Sequence, residues 1–93
     1  MSEYVTVEVE PTDDPDVVEL VTNQTLTSAG PEVYADYDAG SVGSPIAQML
    51  FDGVPGIRAL TINTDSLLIT RDPEFTWEEI VDDVRDALRD FFL

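Results

Sequence analysis

The run from Gly43 to Arg71 limits what this 93-residue chain can fold into more than any other stretch. Ser44 is a good helix N-cap, because its hydroxyl can accept from an unpaired amide of the first turn. Pro45 follows at the first helical position, where its missing N–H costs nothing. Ile46, Ala47, Leu50 and Phe51 fall on one stripe, and Gly53 is placed to close the helix in the left-handed conformation. Val54-Pro55-Gly56 then turns the chain into two β-rich runs split by Asn63-Thr64-Asp65, the pattern of a hairpin. A short helix feeding a hairpin must bury one face of each against the rest of the chain. Nothing in this unit is chemistry.

The remaining segments supply the cover. Tyr4 to Val9 alternates, with Val5, Val7 and Val9 on one side, as a half-buried strand does. Pro11 to Asp16 is a turn rich in short acids that can bond their own backbone. Val17 to Val21 is a second strand, hairpin-paired with the first. Thr22 to Ala29 is irregular, Gly30-Pro31 is a break, Glu32 to Tyr37 is a third strand, and Asp38 to Gly43 is loop. Thr76 and Glu79 fit a capping box that opens the last helix. From Trp77 to Phe92 the apolar residues lie within an arc of about 140° at 100° per residue, with every acid and arginine outside it. The expected architecture is an α+β domain over residues 1–93. It is a small two-layer fold with a largely antiparallel sheet and two helices on one face, in the order β-β-β-α-β-β-α.

Charge and composition narrow the function classes. Twenty acidic residues face four basic ones, all arginine, for a net charge of −16. With 43% hydrophobic residues and clear periodicity, disorder is a poor reading of that charge. Two folded readings remain. One is a mimic of nucleic acid that occupies a basic groove of another protein. The other is the acidic, halophile-like adaptation to molar salt, where the Debye length falls to ~3 Å and self-repulsion is screened. Acids spread throughout the chain, with arginine replacing lysine everywhere, favour the second. The chain has no cysteine and no histidine, which removes thiolate ligands, the commonest metal ligand and the usual general base. No apolar run approaches the ~20 residues of a membrane span. The Met-Ser-Glu-Tyr start lacks a basic leader, so a cytoplasmic location is expected, with neither membrane nor nucleic acid as partner.

Three groups of residues invite chemical readings, and the residues weaken each. Gly40 to Ser44 before a helix suggests a phosphate cradle, but it lacks the lysine of a P-loop and reads as a helix cap. Asp13, Asp14 and Asp16 could hold a hard cation, yet the glycine and distal glutamate of a calcium loop are missing. Asp82 and Asp83 lie on an exposed helix face with no pocket implied. No catalytic residue, cofactor or metal site is expected, and the chain is read as no enzyme.

Over nearly all its length the sequence resembles the N-terminal domain family of Nfu/NifU-type iron–sulfur cluster scaffold proteins. Ser44, Pro45, Leu50 and Phe51 carry the likeness first, then Gly56 before the hairpin, Arg71 at its end and Trp77 opening the last helix. Asp14 and Pro15 stand within the equivalent of that family's Pro-Asn-Pro-Asn turn, with acids in place of amides, and Arg71 stands where a lysine is usual. The resemblance implies an accessory or recognition module in iron–sulfur cluster assembly or delivery, with a cluster-carrying scaffold or an apo-protein as partner. In larger relatives a Cys-x-x-Cys of a separate C-terminal domain holds the cluster. This chain, ending at Leu93 without cysteine, is expected not to ligate one. The competing reading is an acidic interaction or regulatory domain unrelated to clusters. For a partner surface, centring the hairpin on Asn63 to Asp65 puts Arg58, Leu60, Ile62, Ser66, Leu68 and Thr70 on one sheet face. With helices on the other face, Arg58, Leu60, Ile62 and Leu68 form the expected docking patch, unless residues 22–43 fold over it.

Overall fold

The hairpin register decides which side of the sheet is core. In the computed structural model, which describes residues 5–92, strand β4 (Ile57–Ile62) pairs with β5 (Ser66–Arg71) so that Leu60 faces Ile69 and Ile62 faces Leu67. The turn is a two-residue loop, Thr64-Asp65, closed by the Asn63 amide donating to the Ser66 carbonyl at 2.8 Å. A loop centred on Thr64 would have paired each residue one place differently. A one-residue slip exchanges the two faces of a strand. Leu60 and Ile62 are therefore core, 1% and 0% exposed, and the docking patch expected around them does not form. Arg58 is the extra residue of a bulge between Ile57 and Ala59. That bulge returns Ile57 to the buried face, and Arg58 stays exposed beside Asp72 at 3.6 Å.

Strands β1 (Val7–Pro11) and β2 (Val17–Thr22) form the expected hairpin, and β3 (Glu32–Tyr34) adds to β4. The five-stranded sheet runs β1-β2-β5-β4-β3 and is antiparallel throughout. The first strand begins later than the alternation suggested; Val5 is buried ahead of it, and Tyr4, like the Met-Ser-Glu start, lies outside the described residues. Between β2 and β3 the chain crosses the tip of the β4–β5 hairpin. There the Thr22 amide donates to the Asp65 carbonyl and the Leu26 amide to the Thr64 carbonyl. Leu26 is buried in that crossing, while Val33 and Leu68 on the far face remain exposed. Residues 22–43 thus leave the sheet's second face uncovered.

Three helices, not two, cover the other face. The third strand stops at Tyr34, and the segment read as loop holds a short helix, α1 (Tyr37–Ser41), capped by Asp36, whose carboxylate accepts from the Ala39 amide at 2.8 Å. Its Gly40, read from sequence as loop before the next helix, is a packing device: a side chain there would collide with the Phe51 ring. Helix α2 (Pro45–Gly53) starts at Ser44, whose hydroxyl accepts from the Ala47 amide at 3.3 Å. Gly53 does not close it in the left-handed conformation; the helix ends at Val54, whose amide donates to the Leu50 carbonyl. Helix α3 (Trp77–Phe92) opens with both bonds of the capping box. The Thr76 amide donates to Glu79 Oε2, and the Glu79 amide to Thr76 Oγ1. Ile46, Leu50 and Phe51 of α2 and Ile80, Val84 and Leu88 of α3 close over Leu20, Leu60, Ile62, Leu67 and Ile69 as one core.

Candidate functional site

Residues scattered through the sequence meet where the β1–β2 turn, the end of β5 and the start of α3 come together. The turn folds on its own acids: Asp14 Oδ1 accepts from the Asp16 amide at 2.9 Å, and the Asp14 carbonyl accepts from the Val17 amide at 3.0 Å. This presents Asp16 to Arg71, with Arg71 Nε donating to Asp16 Oδ1 at 3.0 Å. Arg71 also donates through Nη1 to the Phe75 carbonyl at 3.2 Å, and its guanidinium lies 5.5 Å from the Trp77 ring centroid. Trp77 Nε1 donates to the Pro15 carbonyl at 2.9 Å. Gly56 adjoins the cluster. Its carbonyl accepts from the Asp72 amide, and a side chain there would press into Ile80 and Phe75.

The structure thus gathers Asp14, Pro15, Gly56, Arg71 and Trp77 and keeps Ser44, Pro45, Leu50 and Phe51 apart on α2, where they cap a helix and fill the core. Asp16, read from sequence as a turn residue and weighed as a cation ligand, is the acid that holds Arg71; its sequence separation of 55 hid that role. With Asp14 and Asp16 engaged in this way, the acidic turn reads as structure. Among the described residues no group of three or more acids is placed to hold a metal ion.

Residues 7–93 match the family described as scaffold protein Nfu/NifU N terminal. The chain belongs to that family. Membership places it in the context of iron–sulfur cluster assembly and fits a protein that meets cluster-carrying partners. The Nfu/NifU N-terminal fold recurs in solved structures. The chain is similar to the NifU-like protein of Saccharomyces cerevisiae, with a TM-score of 0.73 and 24% identity over 94% of this chain and 77% of that one. It is also similar to protein SAV1430 of Staphylococcus aureus, at a TM-score of 0.65 and 12% identity over 92% and 99% of the two chains. Identities this low speak to fold alone. A comparison with curated protein sequences finds no match.

Besides a cleft between β1 and α3 lined by Val9, Trp77, Val81 and Arg85, two surfaces of this Nfu/NifU N-terminal fold could meet a partner. The open sheet face carries Leu68, Thr61 and Thr70 at its centre and Glu8, Glu10 and Glu19 towards the β1 edge. Of the four residues expected to form a patch, only Arg58 and Leu68 are exposed, so that patch is not formed. The apolar residues on this face are instead Leu68, the exposed Val33 and the half-buried Val17, Val21 and Ala59. The second surface is a groove between α2 and α3, floored by Met49, Gly53, Ala87 and Phe91 and walled by Asp83, Asp86 and Asp90. Its spacing puts Phe91 on the core stripe of α3 with the buried Ile80 and Val84, yet it is 41% exposed, because it stands in the last turn, beyond Leu88, the last buried residue of the helix. Among the described residues no helix is long and apolar enough to cross a membrane.

Proposed function

We propose that the chain is a non-catalytic recognition module of iron–sulfur cluster assembly or delivery, one that docks cluster-carrying or apo-proteins and does not itself ligate the cluster. Family membership across residues 7–93 carries this reading. The donor set refines it. A cluster is held by thiolates, at times with imidazoles, and the chain has neither cysteine nor histidine. Its carboxylates are hard ligands, poorly matched to that cargo. We further take the charge of −16 as adaptation to salt rather than as mimicry of nucleic acid.

The test has two arms. After anaerobic reconstitution with iron and sulfide, the desalted protein is expected to show no visible absorption; a chromophore that scales with protein would defeat the non-ligating reading. Affinity capture from native lysate at high salt is expected to retain cluster-carrying proteins. Recovery of nucleic-acid-binding proteins in their place would favour the acidic mimic.

A further inference from the structure

The two flanks of α3 differ in charge. At about 100° per residue, Glu79, Asp83, Asp86 and Asp90 project on the flank towards α2, whereas Glu78, Asp82, Arg85 and Arg89 project on the opposite flank. Both arginines of the helix stand away from the groove. Only Arg89 reaches back, to Asp86 at 3.8 Å, and Asp83 and Asp90 have no cationic partner among the described residues. A surface acidified for solubility alone gives no reason for this segregation. The groove floor, by contrast, is apolar: Met49 and Ala87 are half-buried, and the exposed Phe91 ring stands edge-on to Phe92 at 5.1 Å.

We infer that the groove between α2 and α3 receives a basic amphipathic helix of a partner protein, apolar side chains on Met49, Ala87 and Phe91 and lysines or arginines against Asp83, Asp86 and Asp90. The spacing fits that occupant. The three acids are three and four residues apart and span about 10 Å along α3. Cations repeating at three and four residues on a helix laid alongside meet them in register, the helix-in-groove mode of recognition. An anionic or nucleic-acid partner meets only repulsion here. The inference rests on the recognition-module reading for its purpose but not on what the partner carries.

The probe is a synthetic 14-residue helical peptide of leucine and lysine, titrated into the full chain by amide NMR at the lowest salt that keeps the fold intact. Shift changes are expected along α2 and α3 and not across the sheet. The triple variant Asp83→Asn, Asp86→Asn, Asp90→Asn is expected to bind about tenfold more weakly, as three rim ion pairs would. The control Glu74→Gln, Glu78→Gln, Asp82→Asn removes as much charge elsewhere and is expected to change affinity less than twofold. Phe91→Ser, at an exposed position, is expected to weaken binding without unfolding the chain. Equal weakening by both triple variants, or shifts spread over the sheet, means diffuse attraction only and overturns the inference. Capture from lysate separates the two readings: a groove variant that still retains the wild-type partners sinks the groove and leaves the recognition module standing. A wild type that captures no cluster-carrying protein sinks the module, while the peptide result still decides the groove.

Discussion

Leu60→Ala and Leu68→Ala, made separately, test the register on which the architecture depends. The two leucines sit on adjacent strands of one hairpin and point to opposite faces: Leu60 is 1% exposed opposite Ile69, and Leu68 is 37% exposed opposite Thr61 and Glu19. Each substitution removes three carbons, a transfer loss of roughly 2.4 kcal/mol at full burial. At Leu60 a cavity adds to that loss, because a residue between sheet and helices cannot be replaced by water, so about 3–4 kcal/mol is expected. At Leu68 no cavity forms and only part of the surface was covered, so about 1 kcal/mol is expected. The gap of ~2 kcal/mol corresponds to roughly 8–16 °C in Tm for a chain of this size. It is large against a total stability of roughly 5–14 kcal/mol. Thermal and urea unfolding at one fixed molar salt concentration read it directly. If Leu68→Ala destabilises as much as Leu60→Ala, the turn is centred on Thr64, the faces are exchanged, and the core described above is wrong.

Two further perturbations probe the charge. Thermal unfolding from low to molar potassium chloride should show a midpoint that climbs with salt, since −16 on so small a fold is strongly self-repulsive when unscreened; a flat midpoint rejects salt adaptation. Glu32 accepts from the Tyr34 hydroxyl at 2.6 Å, and that bond, with Ser44 behind it, holds its carboxyl below the ordinary 4.5. A depressed carboxyl stabilises the fold above its unfolded value and loses that contribution as pH falls through its folded one. Glu32→Gln should therefore flatten the stability profile below about pH 4.5 by no more than about 1 kcal/mol, given its exposure to solvent; profiles of equal slope refute the linkage.

Local signals carried most of the fold and little of its pairing detail. The α3 arc, the Thr76–Glu79 box and the Ser44-Pro45 start are patterns within a turn or two, and the structure keeps all three. The face assignment of β4 failed because loop length cannot be read from Asn63-Thr64-Asp65 alone: two residues or three both suit it, and they give opposite faces. Helix α1 was hidden because its Gly40 is disfavoured locally and is required only by Phe51, eleven residues on. Of the site, the order Asp14, Pro15, Arg71, Trp77 was legible as a family pattern, but its meaning was not. Proximity of a turn, a strand end and a helix start is a tertiary fact, and the bond of Asp16 to Arg71 enters only through it.

The accounting of arginine links the structural cluster to the recognition surface. All four arginines have an acid within 4 Å: Arg58 has Asp72, Arg71 has Asp16, Arg85 has Asp82 and Arg89 has Asp86. Three of those pairs are well exposed and contribute about 0–1 kcal/mol each. Arg71 alone is mostly covered, with bonds to two groups and an aromatic face beneath it, so the chain retains one cation chiefly for structure. With all four arginines engaged, most of the acids are left without a basic counterpart among the described residues. Such a surface attracts no anion, and its contacts with other proteins must come from exposed apolar atoms, from cations of the partner, or from both. Molar salt weakens diffuse attraction and leaves short-range contact and apolar burial effective. Under that constraint an apolar floor beside a wall of carboxylates, of which Asp83 and Asp90 have no cation among the described residues, is an arrangement able to discriminate a partner, and the α2–α3 groove has both.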